Sequence, residues 1–346
     1  MLRLFDDAMT YDALDDAYDR LRSTGPEFNG WLSNHGPMAA EALARHGHGE
    51  EIPAWLDDYC QRLEAAPGSR RRIRDWRTAL GDPRRLGDWL GFFEDQIEDQ
   101  PWAEILRSWW PRLVPGIAAG ATHGVIRVGH AVRLLREEGQ SAARLAELAQ
   151  GLGYWASRWQ PVPGAVIPEG TLAADAAVAA LPQIPNQNGG IQSRLAQLEE
   201  VQGWQTAQQA MAPSTDWEHF LRDLVTAAVR RYASHAHGNP VMLVHAATAP
   251  NAVLRTLPSL PNDQWAASAG AAWSASAAIH AAYVAHDGKS LATAPTSSAD
   301  AFDLAAHHGD EHVIKLADTA IDVYSWTGDD RALAAVQTAA DLIERE

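Results

Sequence analysis

Histidine and lysine are the side chains of this sequence with the most chemistry to offer. It holds 14 His and 28 basic residues, of which only Lys289 and Lys315 are lysines, and a single cysteine, Cys60. One thiol builds neither a thiolate cage nor an internal disulfide, so a bound metal would have to be held by imidazole, carboxylate or something less usual. Four histidines stand where a helix is expected to begin or to show a face. His35 lies in Asn34-His35-Gly36-Pro37, ahead of a proline suited to the first helical position. His123 lies in Thr122-His123-Gly124-Val125 on an apolar helix that carries His130 two turns later. His245 follows Leu243-Val244 in a segment that Pro250 is expected to end, and His312 lies in Asp310-Glu311-His312-Val313, one turn before Lys315. Residues three apart are neighbours on a helix, so His312 and Lys315 can share a metal, while Asp318 and Asp322 offer Lys315 a plain ion pair instead. Taken singly, each histidine is explained as a hydrogen-bonded core residue, and only several together would make a site.

Other motif-like strings are weaker. Gly151-Leu152-Gly153-Tyr154-Trp155-Ala156 spells a dinucleotide fingerprint but follows an expected helix, so its phosphate turn has no strand beneath it. Gly288-Lys289-Ser290 ends like a P-loop whose first glycine is replaced by Tyr283. Arg70-Arg71-Arg72 reads as a solvated face. His308-Gly309-Asp310-Glu311-His312 spells the inverted zinc-peptidase signature, which needs both histidines on one helix; Asp310 is a natural N-cap and Gly309 a poor helix interior, so the helix is expected to start after Asp310.

The elements that must position these residues are helical. Apolar residues recur at three and four over Tyr11 to Leu21, Met38 to Arg45, Glu51 to Glu64, Leu86 to Glu98 and Ile117 to Glu138, and again over Ile191 to Met211, Asp216 to His235, Val241 to Leu257, Trp265 to Ala285, Ala299 to Ala306, Glu311 to Thr327 and Arg331 to Arg345. Little period-two alternation is present, so the fold is expected to be all-α, a multi-helix bundle. One domain over 1–346 is expected, with a crossover or lobe boundary in the Pro-rich stretch 160–190. Trp265 to Ala285 carries no formal charge, yet its Ala and Ser content reads as a buried helix, not a membrane span. A formal charge of −16 repels phosphate backbones, which argues against nucleic acid, and the N-terminus turns acidic before an apolar signal could form, so a cytoplasmic protein is expected.

The blocks Asn34 to Ala39, Thr122 to Arg127, Val244 to Ala249 and Asp310 to Lys315, in this order, resemble those of the questin oxidase-like family. The resemblance spans roughly Tyr11 to Val323. It implies a mostly helical oxygenase that uses O2 to open the ring of an anthraquinone or similar polycyclic aromatic polyketide. It further implies non-haem Fe(II) held by His35, His123, His245, His312 and a carboxylated Lys315, with His130, His280 and His308 as alternatives and His130 the first substitute for His123. An NADPH-dependent Baeyer-Villiger oxygenation without iron, and a zinc hydrolase using His308 and His312, are the other readings. The expected partners are an aromatic or quinone small molecule and O2. Arg127, one turn after His123, is the candidate for orienting a phenolate or carboxylate, and Trp109, Trp110, Trp155, Trp159, Trp265 and Trp273 are candidate stacking surfaces.

Overall fold

The computed structural model describes residues 2–345, with side chains from Thr10 onward. Among these residues the regular structure is helical apart from one antiparallel ribbon, Glu27–Phe28 with Leu32–Ser33, as the all-α reading expects. No helix among them is long and apolar enough to cross a membrane. Two units are present: Met1–Gln160 with Pro258–Pro261, and Pro161–Leu257 with Asn262–Glu346.

In the first unit the Ala142–Ser157 helix is the hub, packing on the helices Leu2–Arg22, Leu86–Asp99 and His123–Glu137. Its sequence explains how neighbours come so close. A Cβ on Gly153 would lie 2.9 Å from Leu90 Cδ2, and one on Gly151 3.2 Å from Val128 Cγ2. The two glycines that spelled a dinucleotide fingerprint are therefore helix-packing residues. Tryptophans supply the largest side chains of the core. Trp109 packs against Trp89, Phe92 and Phe93, and Trp110 meets Trp155 edge to face at 5.3 Å. The buried indole of Trp155 donates to the Gly116 carbonyl and the half-buried indole of Trp159 to the Arg112 carbonyl, which satisfies their one polar atom. Asp88 gathers the arginine run, accepting from the Arg70 and Arg71 amides at 2.7 Å each.

In the second unit the Trp217–His235 helix is surrounded by the helices Ala174–Ala179, His245–Thr256, Trp265–Tyr283 and Asp330–Leu342, with Glu311–Thr327 packed on the last of these. Asp216, Ser297, Asp310 and Asp329 cap the helices that follow them through their side chains. The uncharged Trp265–Tyr283 helix is buried from Ala272 onward, and Trp273 donates to the Gln208 carbonyl. Within it His280 is 1% exposed and its Nδ1 meets the Ser276 carbonyl at 2.8 Å. Burial, reinforced by the charges of Arg231 and His235, pushes its pKa down from 6.5 to about 4. Between those values the unfolded chain binds the extra proton, so this stability is complete above pH 6.5 and falls as the pH drops toward 4. About 3 kcal/mol should be lost over that window. Urea titrations of wild type and His280→Asn at stepped pH test this; an equally steep acid slope in the variant would contradict it.

The structure departs from the sequence reading at four places. The helix expected from Ile117 starts only at His123, because Gly120, Ala121 and Thr122 all take positive φ. Ile191 to Met211 is broken into the short helices Ile191–Leu195 and Trp204–Gln209, and Glu51 to Glu64 into Ile52–Tyr59 and a 3-10 turn. Pro250 does not end its helix. Lacking an N–H, it leaves the Ala246 carbonyl without its helical donor, and Ser276 Oγ supplies that hydrogen bond at 2.7 Å.

Candidate functional site

Each of the four histidines stands at a helix N-terminus. His35 is the N-cap of Gly36–Arg45, His123 is the first residue of His123–Glu137, His245 is the first of His245–Thr256, and His312 is the second of Glu311–Thr327. A residue there projects from a rigid element yet is aimed by the loop before it.

In the first unit His35 and His123 meet, Nε2 to Nε2, at 2.7 Å, with their rings edge to face. Both are buried. The Nδ1 of His123 faces the Gly120 carbonyl, an acceptor only, so Nδ1 carries the proton and Nε2 presents a lone pair. Two imidazole nitrogens bound to one metal at about 2.1 Å and a right angle stand about 3 Å apart, close to the observed spacing. The loops that aim the pair are tied to one residue, Tyr154. Its hydroxyl hydrogen-bonds Ser33 Oγ at 2.6 Å, two residues before His35, and a Cβ on Gly120 would lie 2.3 Å from the same hydroxyl. The His35 amide donates to the Tyr59 hydroxyl at 2.6 Å. The strained left-handed turn at Ala121 and Thr122 thus sits directly before a candidate ligand.

His130 is placed differently. Its Nδ1 meets Glu41 Oε2 at 2.7 Å, and the same carboxylate takes Arg133 Nε at 2.9 Å, all three side chains being buried. Of the two, His123 is therefore the one beside His35. Arg127, expected to orient a substrate, forms a bidentate pair with buried Glu147, at 2.5 and 2.6 Å. Two of its three nitrogens are spent there.

In the second unit the rings of His245 and His312 lie 5.9 Å apart, edge to face. Asp310 caps the helix through the His312 amide at 2.8 Å and also stands 3.3 Å from His312 Nδ1. A carboxylate behind one ring nitrogen leaves the other to face a metal. Asp310, Glu311 and His312 offer ligand atoms within 4.8 Å of one another. Lys315, one turn on, is 0% exposed, and its Nζ has no hydrogen-bond partner. The aspartates that offered it an ion pair are taken: Arg255 holds Asp318 at 2.8 Å and Asp322 at 2.6 Å. Burial drives the Lys315 amine down from 10.5 to about 7, against the opposing pull of Glu311 and Asp310.

His308 ends the Ser298–His308 helix, Gly309 turns the chain at φ +85°, and Asp310 caps the next helix. The two histidines of the zinc-peptidase signature are thus on different helices, and His308 Nε2 is engaged by the Ile343 carbonyl at 3.0 Å. The sequence reading did not find Tyr59, Tyr154 or Glu147. Their partners lie 20 or more residues away, so no local spacing signals them.

Residues 57–151 match the family described as questin oxidase-like. The match includes the block at His123, while those at His35, His245 and His312 fall outside it. No curated protein matches the chain. The family match points to oxygenase chemistry, and the buried histidine and acid groups are of the kind that hold a metal ion.

Proposed function

We propose that this protein is a non-haem iron oxygenase that uses O2 to cleave or oxygenate a polycyclic aromatic or anthraquinone-type substrate. His35, His123, His245 and His312 serve as imidazole ligands and Lys315, carboxylated, as the anionic fifth. The observation that carries the reading is Lys315: a buried amine without a partner, one turn after His312. A lysine in such a place costs stability unless its nitrogen is converted to something the surroundings hold. Depression of its pKa makes the unprotonated amine, the form that takes up CO2, accessible near neutral pH. The donor set suits the ion. Imidazole matches Fe(II), and a carbamate oxygen supplies negative charge that neutral imidazoles cannot. Bound there, iron supplies the one-electron chemistry through which O2 reacts with an aromatic ring.

The chain's own residues supply orientation. Gly120 fixes the tautomer of His123, and Asp310 stands behind His312. Arg127, fixed by Glu147, keeps one guanidinium nitrogen for a substrate oxygen. The test is oxygen uptake by Fe(II)-loaded protein with a hydroxyanthraquinone and no reductant. Substrate-dependent uptake, lost on chelation and restored by Fe(II), is expected. Turnover that survives chelation and requires NADPH would overturn the iron reading in favour of Baeyer-Villiger oxygenation.

A further inference from the structure

The C-terminal end of the Ala142–Ser157 helix shapes both loops that carry a histidine in the first unit. Trp155 Nε1 donates to the Gly116 carbonyl at 3.1 Å and the Ala118 amide to the Gln160 carbonyl at 3.1 Å, which fixes the chain approaching His123. Arg158 holds Glu27, the residue paired with Ser33 in the ribbon that leads to His35. The two loops meet at one atom, the hydroxyl of Tyr154, a residue 1% exposed. This hydroxyl hydrogen-bonds Ser33 Oγ at 2.6 Å, and it packs so closely on Gly120 that a Cβ there would lie 2.3 Å away.

The second contact accounts for the turn before His123. Gly120, Ala121 and Thr122 take φ of +53°, +58° and +71°, and only the first is a glycine. A β-branched residue in this region is strained, and such strain persists only where the surroundings impose it. The side chain of Thr122 does not hold the turn, since its hydroxyl is buried without a hydrogen-bond partner. Tyr154 imposes the turn from outside by filling the space beside Gly120. The turn in its place offers the Gly120 carbonyl to His123 Nδ1. With Nδ1 donating there, His123 Nε2 accepts and His35 Nε2 donates across 2.7 Å.

We propose that the Tyr154 hydroxyl is a positioning group for both imidazoles of the first unit, acting on His35 through Ser33 and on His123 through Gly120. This rests on the metal-site reading for its purpose, but half of its test needs no metal. The full chain, chelated and labelled with nitrogen-15 in histidine, is compared by NMR with Tyr154→Phe, Ser33→Ala and the double variant, and each is then titrated anaerobically with Fe(II). The double variant removes both partners of one hydrogen bond, strands neither and keeps the ring against Gly120, so it should fold even if a single variant does not.

Wild type should show a proton shared between the two Nε2 atoms, with His123 protonated at Nδ1. Both single variants should lose or shift that resonance, and their affinity for Fe(II) should fall about tenfold, the scale on which groups that orient a ligand act. The double variant should be no worse than either, because all three break the same bond. A resonance and an affinity like those of wild type, beside nothing more than lowered stability, would overturn the proposal and leave the bond a packing tie. Losses that multiply to about a hundredfold in the double variant would also overturn it, since the two groups would then act apart. So would the absence of a shared proton in wild type. If wild type takes up no Fe(II), the oxygenase reading fails by itself, and the histidine resonances alone decide the role of Tyr154.

Discussion

Protein carrying Lys315→Met is expected to leave purification with less than about a tenth of the wild-type iron, the scale on which loss of a metal-site partner acts. It should nevertheless fold, because Met fills a fully buried apolar position that Lys315 occupies without a hydrogen bond. In metal-free protein the variant should be the more stable of the two at neutral pH. Lys315 has a folded pKa of about 7 against an ordinary 10.5, so between those values the unfolded state binds more protons and stability rises with pH. The penalty is fully present below pH 7 and relieved as the pH climbs to 10.5, a gain of about 5 kcal/mol across the window. Guanidinium titrations of chelated wild type should show that rise, and Lys315→Met should lack it. A wild-type curve as flat as the variant's would mean that the amine finds a partner in solution.

Glu41→Ala should destabilise the protein by about 3–5 kcal/mol, the cost of leaving a buried charge without its partner. Glu41 is 2% exposed and serves both Arg133, itself 2% exposed, and His130. The cost comes from stranding the guanidinium, so replacing both members of the pair, Glu41→Leu with Arg133→Met, should recover most of it. Equilibrium denaturation decides the matter. A Glu41→Ala loss below about 1 kcal/mol would show the pair to be solvated, as an exposed ion pair is. This also separates His130 from the metal: Glu41→Ala should lower stability and leave iron content near that of wild type.

The helices were largely legible because three- and four-residue periodicity and side-chain caps such as Asp216, Ser297 and Asp310 are local signals. Gly309 and Asp310 also told correctly that His312 starts a helix His308 does not share. What the sequence hid is non-local. The apolar run from Ile117 continues without a break, and nothing in Ala121 or Thr122 announces positive φ; the Gly120 turn is dictated by Tyr154, on another helix. Pro250 looked like a stop because it lacks an N–H, but the Ala246 carbonyl it leaves without a donor is served by Ser276, 30 residues on from Ala246. Likewise Lys315 sat on an apparent polar stripe until Arg255 proved to hold both aspartates. The tryptophans could be counted, but only packing shows Trp109, Trp110, Trp155 and Trp273 to be core.

Elemental analysis of the protein purified anaerobically without chelators, wild type beside His35→Ala and Lys315→Arg, decides whether iron sits on these five ligands. Close to one iron per chain is expected in wild type, with most of it lost in both variants, since one lacks an imidazole and the other resists carboxylation. Stoichiometric zinc, no bound metal, or iron unchanged in Lys315→Arg would contradict it.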